Sequence, residues 1–201
     1  MLHGFIRTII ATILLTVVFS GASQACVGRI LYIGALENNA DKVMAEMLVT
    51  LINERTGTNV KVRYFDNLDG LYKALKAHDE NERVDIIVED TADAMKIMNR
   101  ERLPDLDQEY ASAKNLYEKE MDIIWLNPFG FRNTKSENSP AVNAPIIRRD
   151  VLTNFPLLPR ILNKLSGAIN DQTFAEITDK VSSGEKPKNV AKDFLKARKF
   201  I

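Results

Sequence analysis

The chain has 201 residues, 45% of them hydrophobic and 27% charged, with 27 basic residues balanced by 27 acidic ones. That composition excludes a disordered polypeptide, and the length makes one compact domain the default. A net charge near zero supplies no field for nucleic acid or an anionic membrane surface, so neither is expected as a partner.

Residues 1–25 stand apart from the rest. Arg7 precedes the apolar run IIATILLTVVF (Ile9 to Phe19), and the small, polar GASQA follows, the three regions of a secretory signal. The run is 11 residues long, whereas a bilayer core needs roughly 20, so export is expected rather than a permanent span. Cleavage after Ala25 would make Cys26 the new amino terminus and a candidate for lipid attachment. Ser23 and Ala25 equally suit an ordinary signal peptidase, and both routes stay open. The product would be periplasmic or lipid-anchored to the cell envelope, touching membrane only through such a lipid. Cys26 is the only cysteine, so an intramolecular disulfide is excluded. Loss of residues 1–25 removes one base, Arg7, and no acid, leaving a charge of −1.

In the remaining chain, RILYIGAL reads as a short buried strand ending near Gly34. Asp41 to Arg55 places Val43, Met47, Leu48, Leu51 and Ile52 on one helical face, with Gly57 where a helix-ending glycine belongs. NVKVRYF alternates as a half-exposed strand, and a helix from about Asp69 carries Leu71, Ala74 and Leu75. VDIIVED is a third strand, with Glu89, Asp90 and Thr91 at its carboxyl end. A helix from about Leu106 to Glu120 leads into the strand MDIIWLN. Further on, Asp150 to Leu165 is expected as a helix broken near its start by Pro156 and Pro159. Asn170 caps the next helix, bearing Phe174, Ile177 and Val181, and the last carries Val190, Ala191, Phe194 and Leu195. Strands separated by helices imply crossover units and a largely parallel sheet, with any ligand beyond the strands' carboxyl ends, where LENN (Leu36 to Asn39) and EDT (Glu89 to Thr91) fall.

Catalytic and metal motifs are missing: there is no GxSxG, no glycine-rich phosphate loop, no HExxH and no metal-spaced cysteine pair. An enzyme, a metal and a cofactor are therefore not expected. His78 lies in AHDENE and reads as a solvated loop residue, and Trp125 reads as core. Glu89 and Asp90 are adjacent, so on a strand they should point to opposite faces. One is expected to face solvent, or a ligand, while the other caps the following helix.

Taken in order, IGALENNADKVMAEML, VDIIVEDTADAM, WLNPFGFRNT, NAPIIRRDVL, LNKLSGAINDQTF and VAKDFLKARKFI resemble the glycine betaine, choline and related quaternary-amine substrate-binding proteins of ABC importers. The resemblance covers nearly all of residues 26–201. It implies a two-lobed clamshell of the type II binding-protein kind, in which the chain crosses to a second lobe and returns. Here the outbound crossing matches Trp125 to Thr134 and the return matches Ser139 to Asp150. Only Lys135 to Asn138 would stand in place of the second lobe. The expected fold is thus α/β: a single three-layer lobe with a mostly parallel sheet of about four to five strands flanked by helices.

The same resemblance places the ligand-binding positions at Glu37, Asn38 and Asn39 in the first loop, at Glu89, Asp90 and Thr91 after the third strand, and at Lys135. It also exposes departures. Glu37, Asn38 and Asn39 stand where the family has an Asn, an aromatic and a Thr, Asp90 where it has a tyrosine, and Lys135 where it tends to have another. Each face-on aromatic contact to a quaternary ammonium is worth roughly 0.5–2 kcal/mol, and one wall leaves half of a solute wet. The implied function is a subunit of ABC-type quaternary-amine uptake that holds its small amine weakly, with a permease as partner. A second copy facing the first across a rebuilt cleft is another expected partner. The competing reading is an envelope scaffold that uses the former cleft face to bind another protein.

Overall fold

The computed structural model describes residues 29–132 and 139–201. Strand β1 (Leu31–Leu36) enters helix α1 (Asn39–Thr56), followed by β2 (Val60–Phe65), α2 (Leu68–Lys76), β3 (Ile86–Asp90), α3 (Thr91–Ile97), α4 (Leu106–Met121) and β4 (Ile123–Trp125). After residues 133–138 come β5 (Asn143–Arg148), α5 (Val151–Asn154), α6 (Leu158–Leu162), a 3-10 turn at Asn163–Leu165, α7 (Asp171–Ser182) and α8 (Pro187–Ala197). Among these residues no helix is long and apolar enough to cross a membrane.

The strands form one five-stranded sheet in the order β2-β1-β3-β5-β4. Helices α1, α6, α7 and α8 cover one face, packing on Leu31, Ile33, Ile86 and Ile147. Helices α2, α3 and α4 cover the other, packing on Ile87, Ile123, Trp125 and Ile146. Period-two alternation within the strands produces this division: in β3, Ile86 and Val88 serve the first face and Ile87 the second. All five residues of β3 are buried, as expected of a strand covered on both sides. The result is the α/β, three-layer single lobe that the sequence predicts.

Two features correct the sequence reading. The sheet is mixed, because β5 runs antiparallel to both β3 and β4, while β1 is parallel to β2 and β3. β5 also lies within the segment read as a return connection. Pro145 hides it, since a proline argues against an interior strand. Its carbonyl accepts from Leu126 N at 2.9 Å, past the end of β4 at Trp125. The N–H it lacks falls on that same side, so the ladder to β3 loses nothing. The second concerns extent: the break expected near Pro156 is present, but the 150–165 segment is three pieces, α5, α6 and the 3-10 turn.

The two sides of residues 133–138 are pinned together: Ala141 N donates to the Arg132 carbonyl at 2.8 Å. Just before this point, Gly130 sits at φ +120°, and a Cβ there would stand 2.9 Å from the Ile169 carbonyl oxygen. The outgoing chain therefore hugs the loop between α6 and α7 in a way that only glycine permits.

Gly34 sets a second close approach, between α2 and the centre of the sheet. A Cβ at Gly34 would lie 2.5 Å from Leu71 Cδ1 and about 3 Å from methyls of Val84 and Ile87. Gly34→Ala should lower the unfolding free energy by about 1–3 kcal/mol through overpacking, read from the midpoint of a urea titration at unchanged slope.

Candidate functional site

The chain leaves β1 toward β2 on one side, whereas after β3 it passes to the opposite half of the sheet. The carboxyl ends of β1 and β3 therefore border a switch point, the place where open α/β sheets hold ligands. A narrow cleft of about 80 Å³ opens there, walled by Asn38, Asp41, Leu68, Leu71, Glu89 and Asp93 among others. Among the described residues its walls carry three carboxylates, no basic side chain and no aromatic ring.

Helix caps build the rim. Asn38 Oδ1 accepts the Asp41 backbone N–H at 2.8 Å and so starts α1, while its amide donates to Asp41 Oδ2 at 2.9 Å. Asp90 Oδ1 accepts the Asp93 N–H at 2.9 Å and starts α3. One of the pair was expected to cap the following helix, and Asp90 does so, but its neighbour is not in solvent: Glu89 is 3% exposed and Asp90 1%.

Nor do the two carboxylates part company. Glu89, Asp90 and Asp93 bring one carboxylate oxygen each within 4.8 Å of one another. Glu89 Oε1 curls back to accept the Asp90 N–H at 2.8 Å, which overrides the alternation expected of an ideal strand. These three carboxylates are the group among the described residues that could hold a metal ion, a possibility the motif search did not raise.

Glu89 Oε2 accepts the Tyr72 hydroxyl, and the Tyr72 and Tyr117 hydroxyls are bonded in turn. A phenol has one proton, so Tyr117 donates to Tyr72, which donates to Glu89. Burial, and then the Glu89 charge, holds both phenols well above the ordinary tyrosine range, so both stay protonated as donors. Tyr117 packs edge-on against Trp125, with ring centroids 5.4 Å apart. Trp125 is core, as the sequence suggests.

Thr91 turns away from the cleft. Its hydroxyl donates to Glu109 Oε1 at 2.6 Å and accepts from Val142 N at 3.2 Å, tying α3 to α4 and to the residue that leads into β5. Glu109 is fully buried and grips Arg102 through both oxygens, at 2.8 and 2.9 Å. Burial raises its pKa, but the hydrogen bonds from Arg102, Thr91 and the Leu103 backbone outweigh that and hold the carboxyl below its ordinary range. Arg102 reaches on to Ser139 Oγ and the Pro140 carbonyl at 2.9 and 2.7 Å, fastening the return chain.

Of the other residues singled out from the sequence, Glu37 is exposed and pairs with Lys42 at 2.5 Å. Asn39 donates to Ser182 Oγ on α7 at 3.1 Å. Lys135 and Cys26 lie outside the described residues. His78 is exposed beside an open hollow of about 490 Å³ at the opposite end of the sheet. That hollow is the larger, but it sits at the amino ends of the parallel strands, and its Arg148 is already paired with Asp150 at 3.0 Å. The switch-point cleft is the better candidate on both counts. Tyr72, Tyr117, Asp41, Asp93, Arg102 and Glu109 were not anticipated. Only Asp93 left a trace in the sequence, as an acid three positions after the capping Asp90.

No protein-family model matches the sequence, and no curated protein matches it either. The fold has solved counterparts. A crystal structure described as a glycine betaine/carnitine/choline ABC transporter aligns with TM-score 0.75 at 14% identity, covering 85% of this chain and 98% of that one. Apo YehZ from Escherichia coli aligns with TM-score 0.74 at 12% identity, covering 85% and 99%. At such identities the likeness is one of fold.

Proposed function

We propose that this protein is an exported, binding-protein-like subunit associated with ABC-type uptake of quaternary amines, and that it holds such solutes weakly. The observation that carries the reading is the switch-point cleft: it sits where a binding protein of this fold would place solute, yet among the described residues no aromatic ring lines it. Its acidic walls favour a cation over an anion. They offer none of the flat faces that recognise a quaternary ammonium at roughly 0.5–2 kcal/mol each.

The fold match to a glycine betaine/carnitine/choline ABC transporter structure supports the architecture. The hydrogen bond from Ala141 N to the Arg132 carbonyl supports residues 135–138 as a short link standing in for a second lobe. In this reading residues 1–25 direct export, Cys26 is the candidate lipid site, and the chain catalyses no reaction. Glu37 and Asn38 border the open face.

Photo-crosslinking from a residue at that rim, in intact cells, tests the assignment. Capture of an ABC permease subunit is the expected result. Capture of an unrelated envelope protein alone would overturn it in favour of a scaffold.

A further inference from the structure

We infer that the corner between β3 and α3 is a binding site for a hard divalent cation of Ca²⁺ size, held by Glu89, Asp90 and Asp93. This stands apart from the solute reading, since an importer subunit and a scaffold could each carry such an ion.

Two independent observations meet at this corner. The first is geometric: one carboxylate oxygen from each residue lies within 4.8 Å of the other two. Around Ca²⁺, with oxygen ligands at about 2.3–2.6 Å, two opposed ligands stand about 5 Å apart, so all three fit a single ion. The second is an orphaned atom. Asp90 is 1% exposed, and while Oδ1 caps α3, Oδ2 is buried with no hydrogen-bond partner.

An isolated buried carboxylate oxygen is costly and is ordinarily satisfied by a donor, a cation or a proton. Among the described residues the walls of the adjoining cleft include Glu89, Asp93 and Asp41 and no basic side chain. The donor set is oxygen throughout, with no cysteine or histidine, which suits Ca²⁺ and other hard cations over zinc or copper. The cleft gives an ion access from solvent and room for the waters that would complete its coordination.

The test is calorimetric titration of chelator-stripped protein with Ca²⁺, paired with Tb³⁺ luminescence excited through the aromatic rings. Tyr72, hydrogen-bonded to Glu89, stands beside the site and should sensitise bound Tb³⁺. Asp90→Asn keeps a side-chain oxygen able to cap α3 and removes the charge. It should weaken Ca²⁺ binding at least tenfold and abolish competition between Ca²⁺ and Tb³⁺. Asp93→Asn, half-buried on α3, should do the same and carries the test if the first variant fails to fold. Unchanged affinity in a folded variant would overturn the site. So would the absence of both heat and sensitised emission at millimolar Ca²⁺.

Discussion

Arg102→Ala is expected to lower the unfolding free energy by about 3 kcal/mol, measured by denaturant titration at neutral pH. The reason is what the substitution leaves behind. Glu109 has a side chain with no exposure, whereas the Arg102 side chain is 30% exposed. Removing the arginine strands a buried carboxylate, and breaking such a pair costs about 3–5 kcal/mol. The lower end applies because Thr91 Oγ1 and Leu103 N still donate to Glu109, at 2.6 and 2.8 Å. The loss also unfastens Ser139 and Pro140, so the return chain should exchange its amide protons faster.

The pH dependence gives this prediction a sign. In the folded protein Glu109 is depressed below its ordinary 4.5, so its contribution is complete above that pH and is lost as pH falls through the lowered folded value. In the Arg102→Ala protein the main lowering influence is gone and burial raises the pKa. Acidification then relieves the penalty, and the gap between wild type and variant should close at low pH. A gap that widens on acidification would contradict the ion pair.

Phe131→Ala should cost about 4 kcal/mol, within the range for removing a buried aromatic ring. Phe131 is 1% exposed and lies nearly parallel between Phe129 and Phe174, with centroids 5.8 and 4.0 Å away. It anchors the outgoing chain to α7 just before residues 133–138. Next to it, Arg132 N donates to Asp171 Oδ1 at 2.7 Å. The wild-type ring is expected to hold this junction shut, so the variant should combine a lower melting temperature with faster proteolysis between Phe129 and Ala141. Stability within 1 kcal/mol of wild type would show that the junction is not part of the core.

What the sequence disclosed follows the strength of its periodic signals. β1, β3 and α1 were legible because their apolar patterns matched faces that really are buried, β2 because it alternates as a half-exposed strand, and α1 also because Asn38 and Gly57 bracket it with a polar cap and a φ of +69°. β5 was not legible, since Pro145 interrupts a pattern that only the end of β4 makes tolerable. α3 was too short to show a helical period. The site was half legible. The strand-end rule led to Glu89, Asp90 and Asn38, but alternation sent Glu89 and Asp90 to opposite faces. The backbone bond from Asp90 N to Glu89, together with the Tyr72 hydroxyl, draws the Glu89 carboxylate into the interior. The bonds that bring in Tyr72, Tyr117 and Glu109 join residues 17 to 45 apart in the chain, and no local pattern encodes such a meeting.

Calorimetric titration of the purified protein with glycine betaine and with choline bears most directly on the idea that one lobe presents an open cleft with no ring among its described walls. Dissociation constants no tighter than millimolar, about −4 kcal/mol of binding free energy, are the expected result. A low-micromolar constant for either amine would mean that the solute is enclosed after all, and would contradict the account.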